Sequence, residues 1–324
     1  MVKTRQWILA NKPTDLPQLE GPNPTFELKE TDLPDLQDDQ VLVKAKYLSN
    51  DPAQRGWISK GADPERLYVA PVKEGEPMAA RGICEVVESK SSKYKVGDTV
   101  IVSIRWSEYG IFSPKECQPA PEIPGGYGKT HYLGALGLPG LTAYFGLTEV
   151  VATKAEDVVV ISGAAGATGM MAVQIAKHII GCKKVIGMAG SDDKCKWVEG
   201  LGADLCLNCE SKGHIVHSRA DNDATDKKDS FQDDLKKALP SPDGFANVYF
   251  DNVGGEILDF MLTRMAREGR IACCGAISAY NTSKDNMSGL KNWFEMITMR
   301  LMGKFSQNTS YHPHPIALSS RDID

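Results

Sequence analysis

One run near the middle of the chain, Val160-Ile161-Ser162-Gly163-Ala164-Ala165-Gly166-Ala167-Thr168-Gly169, is its most informative motif. It reads A-x-G-x-x-G, follows a short apolar segment and opens a helix-like one. That is the context in which a glycine-lined turn seats a dinucleotide pyrophosphate. Gly166 lets the backbone approach a phosphate, and Gly169 lets the helix pack on the strand. The helix N-terminus then offers N–H groups and a partial positive charge. A tight strand-to-helix turn without a ligand is the alternative. Further on, where an NAD-selecting domain carries Asp or Glu for the ribose hydroxyls, the chain reads Met188-Ala189-Gly190-Ser191, with Lys194 close behind. No carboxylate stands there to repel a 2′-phosphate and a cation is at hand, so NADP(H) is favoured. Asp192-Asp193 weigh against it, and a merely solvated Lys194 is the alternative. Among eight cysteines only Cys206 and Cys209 form a C-x-x-C pair. No second pair follows at zinc-ribbon spacing, so buried, reduced thiols and no metal are expected.

The elements that would carry these motifs change character once. The first 120 residues read as β-rich, with strands over 41–47, 83–88 and 99–104 and turn signals at Asn50-Asp51-Pro52 and Val96-Gly97-Asp98. Short strands punctuated by Gly and Pro predict a compact barrel-like domain. After Pro121-Glu122-Ile123-Pro124-Gly125-Gly126, helix-like and strand-like segments alternate. Helices are expected over 141–150, 168–180 and 257–265, and strands over 158–161, 184–188, 248–250 and 270–274. That order predicts a parallel, doubly wound sheet of the α/β class. Residues 209–233, polar and charged, read as a solvated surface insertion. The last stretch, 308–324, has no clear periodicity.

Length and composition agree with this division. A chain of 324 residues predicts two domains. With 42% hydrophobic and 24% charged residues, disorder, collagen-like repeats and a coiled coil are excluded. A net charge of −5 leaves no electrostatic footprint for nucleic acid or an anionic membrane. No apolar run reaches the length of a membrane span. Behind Met1-Val2-Lys3-Thr4-Arg5-Gln6-Trp7 there is no signal-like apolar core. A soluble, cytoplasmic protein is expected.

Six strings then carry a resemblance. Leu48-Ser49-Asn50-Asp51-Pro52, Trp106-Ser107-Glu108-Tyr109, Gly137-Leu138-Pro139-Gly140-Leu141-Thr142-Ala143-Tyr144, Gly190-Ser191-Asp192-Asp193-Lys194, Phe250-Asp251-Asn252-Val253-Gly254-Gly255 and Cys274-Gly275-Ala276-Ile277-Ser278-Ala279-Tyr280-Asn281 occur in this order. Together they resemble the zinc-independent medium-chain dehydrogenase/reductases, in the branch of the prostaglandin reductases and alkenal double-bond reductases. The resemblance runs over residues 38–303. It implies a GroES-like domain over 1–125, a Rossmann domain over 126–306 and a divergent tail over 307–324, with the active site in the cleft between the two domains. It also implies NADPH as hydride donor and an α,β-unsaturated aldehyde or ketone as acceptor. A quinone or carbonyl reductase on the same scaffold, or an NADP-binding protein without turnover, are the alternatives. The assembly it implies is a homodimer through the edge of the Rossmann sheet.

The site residues follow from the same resemblance. Gly166, Ala167, Thr168 and Gly169 would hold the pyrophosphate, Gly190 and Lys194 would meet the adenosine phosphate, and Cys209 stands at a further cofactor-binding position. Asn252 and the loop Cys274, Gly275, Ala276, Ile277, Ser278 and Tyr280 would line the cofactor, with Phe305 near the nicotinamide. The zinc-dependent relatives carry a Gly-His-Glu motif and a four-cysteine lobe. Here the corresponding region reads Pro77-Met78-Ala79-Ala80-Arg81-Gly82, and no histidine precedes His131. Hydride addition to a conjugated double bond needs no metal, because the developing charge delocalises into an enolate that one hydroxyl can stabilise. Tyr280 is the expected donor; a packed loop aromatic is the alternative.

The chain also departs from the family pattern. Asp51-Pro52-Ala53-Gln54-Arg55 stands for Asp-Pro-Tyr-Met-Arg, so a pocket tyrosine is replaced by Ala53. Arg55 is kept, as a substrate contact or as a structural charge. Asn208-Cys209 stands for Asn-Tyr, removing an aromatic beside the cofactor phosphate. The match fades after Gly303, so the family's returning strands are expected to be truncated, as in an alternatively spliced form. His312 and His314 lie in that tail and read as solvated.

Overall fold

Short antiparallel strands build the first half of the chain, and parallel strands such as Val158–Ile161 and Lys184–Ala189, with continuously buried runs, build the second. The computed structural model describes residues 2–62, 64–67, 69–210, 225–240 and 244–281. The chain divides into two compact units, Met1–Leu138 and Pro139–Asp324.

In the first unit, β1 (Lys3–Leu9) and β2 (Phe26–Asp32) form an antiparallel hairpin. Six of the seven residues of β2 are exposed and four are charged, so its apolar signal is faint. Pairing holds it instead, aided by a Lys3–Glu30 ion pair of 2.7 Å. β3 (Val41–Leu48), the short α1 (Gln54–Trp57), β4 (Gly82–Ser89), β5 (Thr99–Val102), β6 (Tyr109–Phe112) and β7 (Gln118–Pro119) follow. Their antiparallel sheet has the order β6-β3-β4-β5-β7, and this first part is β-rich as expected. Val41, Val43, Val86, Val100 and Val102 fill its core. Arg55 is tied down within this unit. Its guanidinium donates to Ser59 Oγ at 2.7 Å and to the carbonyl oxygen of Asp15.

The second unit opens one residue into α2 (Leu138–Phe145), which loosens into a π-helical turn over Gly146–Val150. β8 (Val158–Ile161) follows, then α3 (Ala167–Gln174), a second π-helical stretch over Ile175–Ile180, β9 (Lys184–Ala189), α4 (Asp192–Gly200) and β10 (Leu205–Asn208). α5 (Thr225–Ala238), β11 (Ala246–Asp251), α6 (Gly255–Leu262) and β12 (Met265–Cys273) complete the described elements. The five strands are parallel, in the order β10-β9-β8-β11-β12. This is the Rossmann arrangement, with the chain reversing direction of winding at β8. β8 shows why its run is apolar throughout. Val159 and Ile161 pack with Ala172 and Val173 on one face, while Val158 and Val160 pack with Leu235 and Ile257 on the other. Each such side chain fully buried contributes about 1.5–3 kcal/mol.

The polar segment 209–233 is not all loop. From Thr225 the chain is helical, and Phe231, Leu235 and Ala238 are buried against the sheet. Three apolar residues at helical spacing suffice to dock a helix whose remaining positions are polar or charged. The rest of that segment, 211–224, and the tail lie outside the described residues. All eight cysteines are free, with Cys84, Cys117, Cys182, Cys195 and Cys206 buried. Among the described residues, no group of three or more His, Cys, Asp or Glu could hold a metal ion. None of the described helices is long and apolar enough to cross a membrane.

Candidate active site

The site is built at the C-terminal ends of the parallel strands. β8 runs into Ser162 and Gly163, where φ is +57°, a conformation that glycine adopts without strain. The N–H of Ala164 donates to Met188 O at 2.9 Å, pinning this turn to β9. Gly166 caps α3 with no side chain bonded to its first-turn N–H groups. Those donors belong to Ala167, Thr168 and Gly169, and with the helix dipole they form a seat for phosphate. Crowding fixes the glycines. A Cβ on Gly169 would stand 2.2 Å from Gly163 O and 2.8 Å from Ala164 Cα, and one on Gly166 would stand 3.2 Å from Gly163 O. The tight turn itself therefore requires these glycines, and the uncapped N–H groups of the first turn of α3 fit a pyrophosphate.

β11 ends in Asp251, 1% exposed. Its Oδ1 accepts from the Ser162 hydroxyl at 2.9 Å, the Tyr249 hydroxyl at 2.8 Å, and the N–H groups of Val253 and Gly254 at 3.1 and 3.0 Å. Ser162 Oγ accepts in turn from the Asn252 N–H at 2.9 Å, and Asn252 Nδ2 donates to Ser162 O at 2.7 Å. Burial raises the Asp251 carboxyl above the usual carboxylate range although these donors oppose it. Burial, and then the Asp251 charge, hold the Tyr249 phenol well above the ordinary tyrosine value. The network ties the turns after β8 and β11 together at the switch point of the sheet, where open α/β sheets bind ligands.

Beyond β12, the N–H groups of Cys274 and Gly275 both donate to Asp251 O, at 2.8 and 3.0 Å. The loop makes one 3₁₀ turn over Ile277–Ala279, and the Ser278 hydroxyl donates to Val253 O at 2.6 Å. Tyr280 then folds back over this loop. Its hydroxyl accepts from the Ala276 N–H at 3.4 Å and lies 3.3 Å from where a Gly275 Cβ would be. Among the described residues its own proton goes to no acceptor. Burial raises the phenol above the ordinary tyrosine value, so it is held as a donor at neutral pH.

The opposite end of the site is formed by β9 and β10. Gly190 follows β9, and Ser191 caps α4 with Oγ accepting from the Lys194 N–H at 3.3 Å. Cys209 donates its N–H to Ala189 O at 2.9 Å, with its thiol 3.3 Å from the same oxygen. Burial pushes that thiol up to about 11. The structure thus places Gly166, Ala167, Thr168, Gly169, Gly190, Lys194, Cys209, Asn252 and the 274–280 loop at one end of one sheet; Phe305 lies outside the described residues. It does not bring Lys194 and Tyr280 together. They follow β9 and β12, three strand spacings apart, or about 14 Å. A site of that length suits an extended dinucleotide.

Two domain families match the chain, described as "N-terminal domain of oxidoreductase" over residues 5–120 and "Zinc-binding dehydrogenase" over residues 167–309. Prostaglandin reductase 1 of Bos taurus is 37% identical over 282 residues, covering 87% of this chain and 75% of the relative. The NADP(+)-dependent 2-alkenal reductase of Nicotiana tabacum is 36% identical over 324 residues, covering 97% and 84%. The chain belongs to the zinc-independent medium-chain dehydrogenase/reductases, in the branch of these NADP-dependent oxidoreductases. A crystal structure of CurA from Vibrio vulnificus in complex with NADPH superposes with a TM-score of 0.76 at 30% identity, covering 93% of this chain and 80% of that one.

Reading the sequence alone missed the Asp251 network and Glu210, whose carboxylate oxygens lie 2.6 and 3.0 Å from where a Cβ on Gly190 would stand. Asp251 lay inside a recognised string, but nothing in its spacing reveals four donors on one oxygen. Glu210 reaches the site through strand register, which no local pattern displays.

Proposed function

We propose that this chain reduces the carbon–carbon double bond of α,β-unsaturated aldehydes or ketones with NADPH. The observation that carries the reading is the phenol of Tyr280 on the loop beyond β12, held protonated and without an acceptor for its proton among the described residues. When bound, the cofactor supplies a hydride to the β-carbon of the acceptor. The first turn of α3 holds the pyrophosphate, and Lys194 offers a positive charge to the adenosine phosphate. Asn252 and the 274–280 loop, fixed by Asp251, orient the nicotinamide end. Tyr280 donates its hydrogen bond to the substrate carbonyl oxygen, so negative charge developing there as the enolate forms is stabilised. Solvent delivers the proton to the α-carbon. The names of the prostaglandin and 2-alkenal reductases support this substrate class.

The test is NADPH consumption by the purified full chain with a panel of enals and enones. A quinone, a simple ketone and NADH serve as comparisons. Saturated aldehyde or ketone products are expected from the enals and enones. Turnover confined to the quinone or the simple ketone would replace this reading with the corresponding reductase. NADPH binding without any turnover would leave a nucleotide-binding protein.

A further inference from the structure

We infer that Glu210 is a specificity-determining residue of the nucleotide site, set to temper its preference for NADP(H) over NAD(H). The inference rests on the cofactor site proposed above. Dinucleotide domains that take NAD place an acidic residue at the end of the second strand to accept from the ribose hydroxyls. That position holds Gly190, which explains why the sequence by itself speaks for a phosphorylated nucleotide. The structure puts a carboxylate there by another route. Pairing of β10 with β9 continues through the Cys209 N–H bond to Ala189 O and delivers the next residue, Glu210, beside Gly190. A Cβ built on Gly190 would lie 2.6 Å from Glu210 Oε1, 2.7 Å from its Cδ and 3.0 Å from its Oε2. The carboxylate therefore lies against the bare Cα at the mouth of the β9–α4 turn.

Its backbone is anchored at that place. The Glu210 N–H donates to Asn208 Oδ1 at 2.9 Å, and Asn208 Nδ2 donates to Asp192 Oδ1 at 2.6 Å. Lys194, in the first turn of α4, makes no ion pair among the described residues. It is thus available to a phosphate, but Asp192 and Asp193 share the first turn of α4 with it, and the Glu210 carboxylate lies at Gly190 just before that helix. Toward two ribose hydroxyls the Glu210 carboxylate is an acceptor. Toward a 2′-phosphate it is a like charge occupying the same space. Lys194 and Glu210 oppose one another, and their balance sets the nucleotide preference.

Calorimetric titration of the full chain tests this with NADPH, NADH, adenosine 2′,5′-bisphosphate and adenosine 5′-monophosphate. In Glu210→Gln, NADPH and the bisphosphate should bind about three- to tenfold tighter, with NADH and the monophosphate unchanged or weaker. Glu210→Lys should widen the difference, and the gain should shrink as salt is raised. An NADPH-to-NADH affinity ratio unmoved in both variants overturns the assignment, as does an equal loss of all four ligands. If the unsubstituted protein binds none of them, the cofactor site itself fails and takes this inference with it.

Discussion

A phenol donates a hydrogen bond only while it keeps its proton, and at Tyr280 burial protects that proton. The Ala276 N–H satisfies the acceptor side of its oxygen, so the donor side is left for substrate. Tyr280→Phe should therefore lower kcat by about 10²- to 10⁴-fold, while calorimetry finds NADPH affinity nearly unchanged. Equal turnover would remove Tyr280 from the mechanism. The protonated phenol is the active form and its pKa is raised. Activity should thus be lost only as pH climbs through a value above the ordinary tyrosine range, and this alkaline limb should vanish from the residual activity of the phenylalanine variant. At this scale the sequence revealed what depends on residue type within one turn. Gly166 and Gly169 were legible because a strand-to-helix turn this tight leaves little room for a Cβ. Glu210 was not, because its place depends on hydrogen bonds between strands far from the motif it serves.

The elements of the second unit are held at the site by few contacts, and these can be tested. Gly169 lets α3 approach the turn after β8. A methyl group there would stand 2.2 Å from Gly163 O, which is backbone and cannot swing away. Gly169→Ala should cost about 1–3 kcal/mol or more in urea unfolding, with nucleotide affinity falling in parallel; full stability and affinity would contradict this packing. The tie between β8 and β11 rests on Asp251 Oδ1. Asp251→Ala would leave two hydroxyls and two N–H groups without their acceptor, at a cost of about 2–4 kcal/mol. Asp251→Asn keeps an oxygen for the same four donors and should lose clearly less. Equal losses in the two variants would show that the oxygen does not organise these turns. β8 was readable from its four apolar residues because both faces of the sheet are covered. β2 and α5 were not, because β2 is held by pairing across an exposed hairpin. α5 docks through Phe231, Leu235 and Ala238 amid charged neighbours.

For the molecule as a whole, the division at Leu138 and Pro139 has an energetic counterpart. Each core cluster draws its residues from one unit: Val41, Cys84 and Val100 with their neighbours in the first, Val159, Val185 and Phe250 with theirs in the second. Apolar burial is the main source of cooperativity, so two separate cores favour two unfolding transitions over one. The proposed nucleotide contacts among the described residues all lie on the second unit, from Gly166 to Tyr280. A ligand that binds only the folded form stabilises by RT ln(1 + [L]/Kd), about 2.7 kcal/mol at a hundredfold excess over Kd. Scanning calorimetry of the full chain should therefore resolve two transitions, of which NADPH raises one and leaves the other in place. Hydrogen exchange should assign the raised transition to the unit containing β8, whose amides gain protection with it. A single transition that NADPH shifts as a whole would show that the two cores unfold together and that cofactor binding stabilises the entire chain.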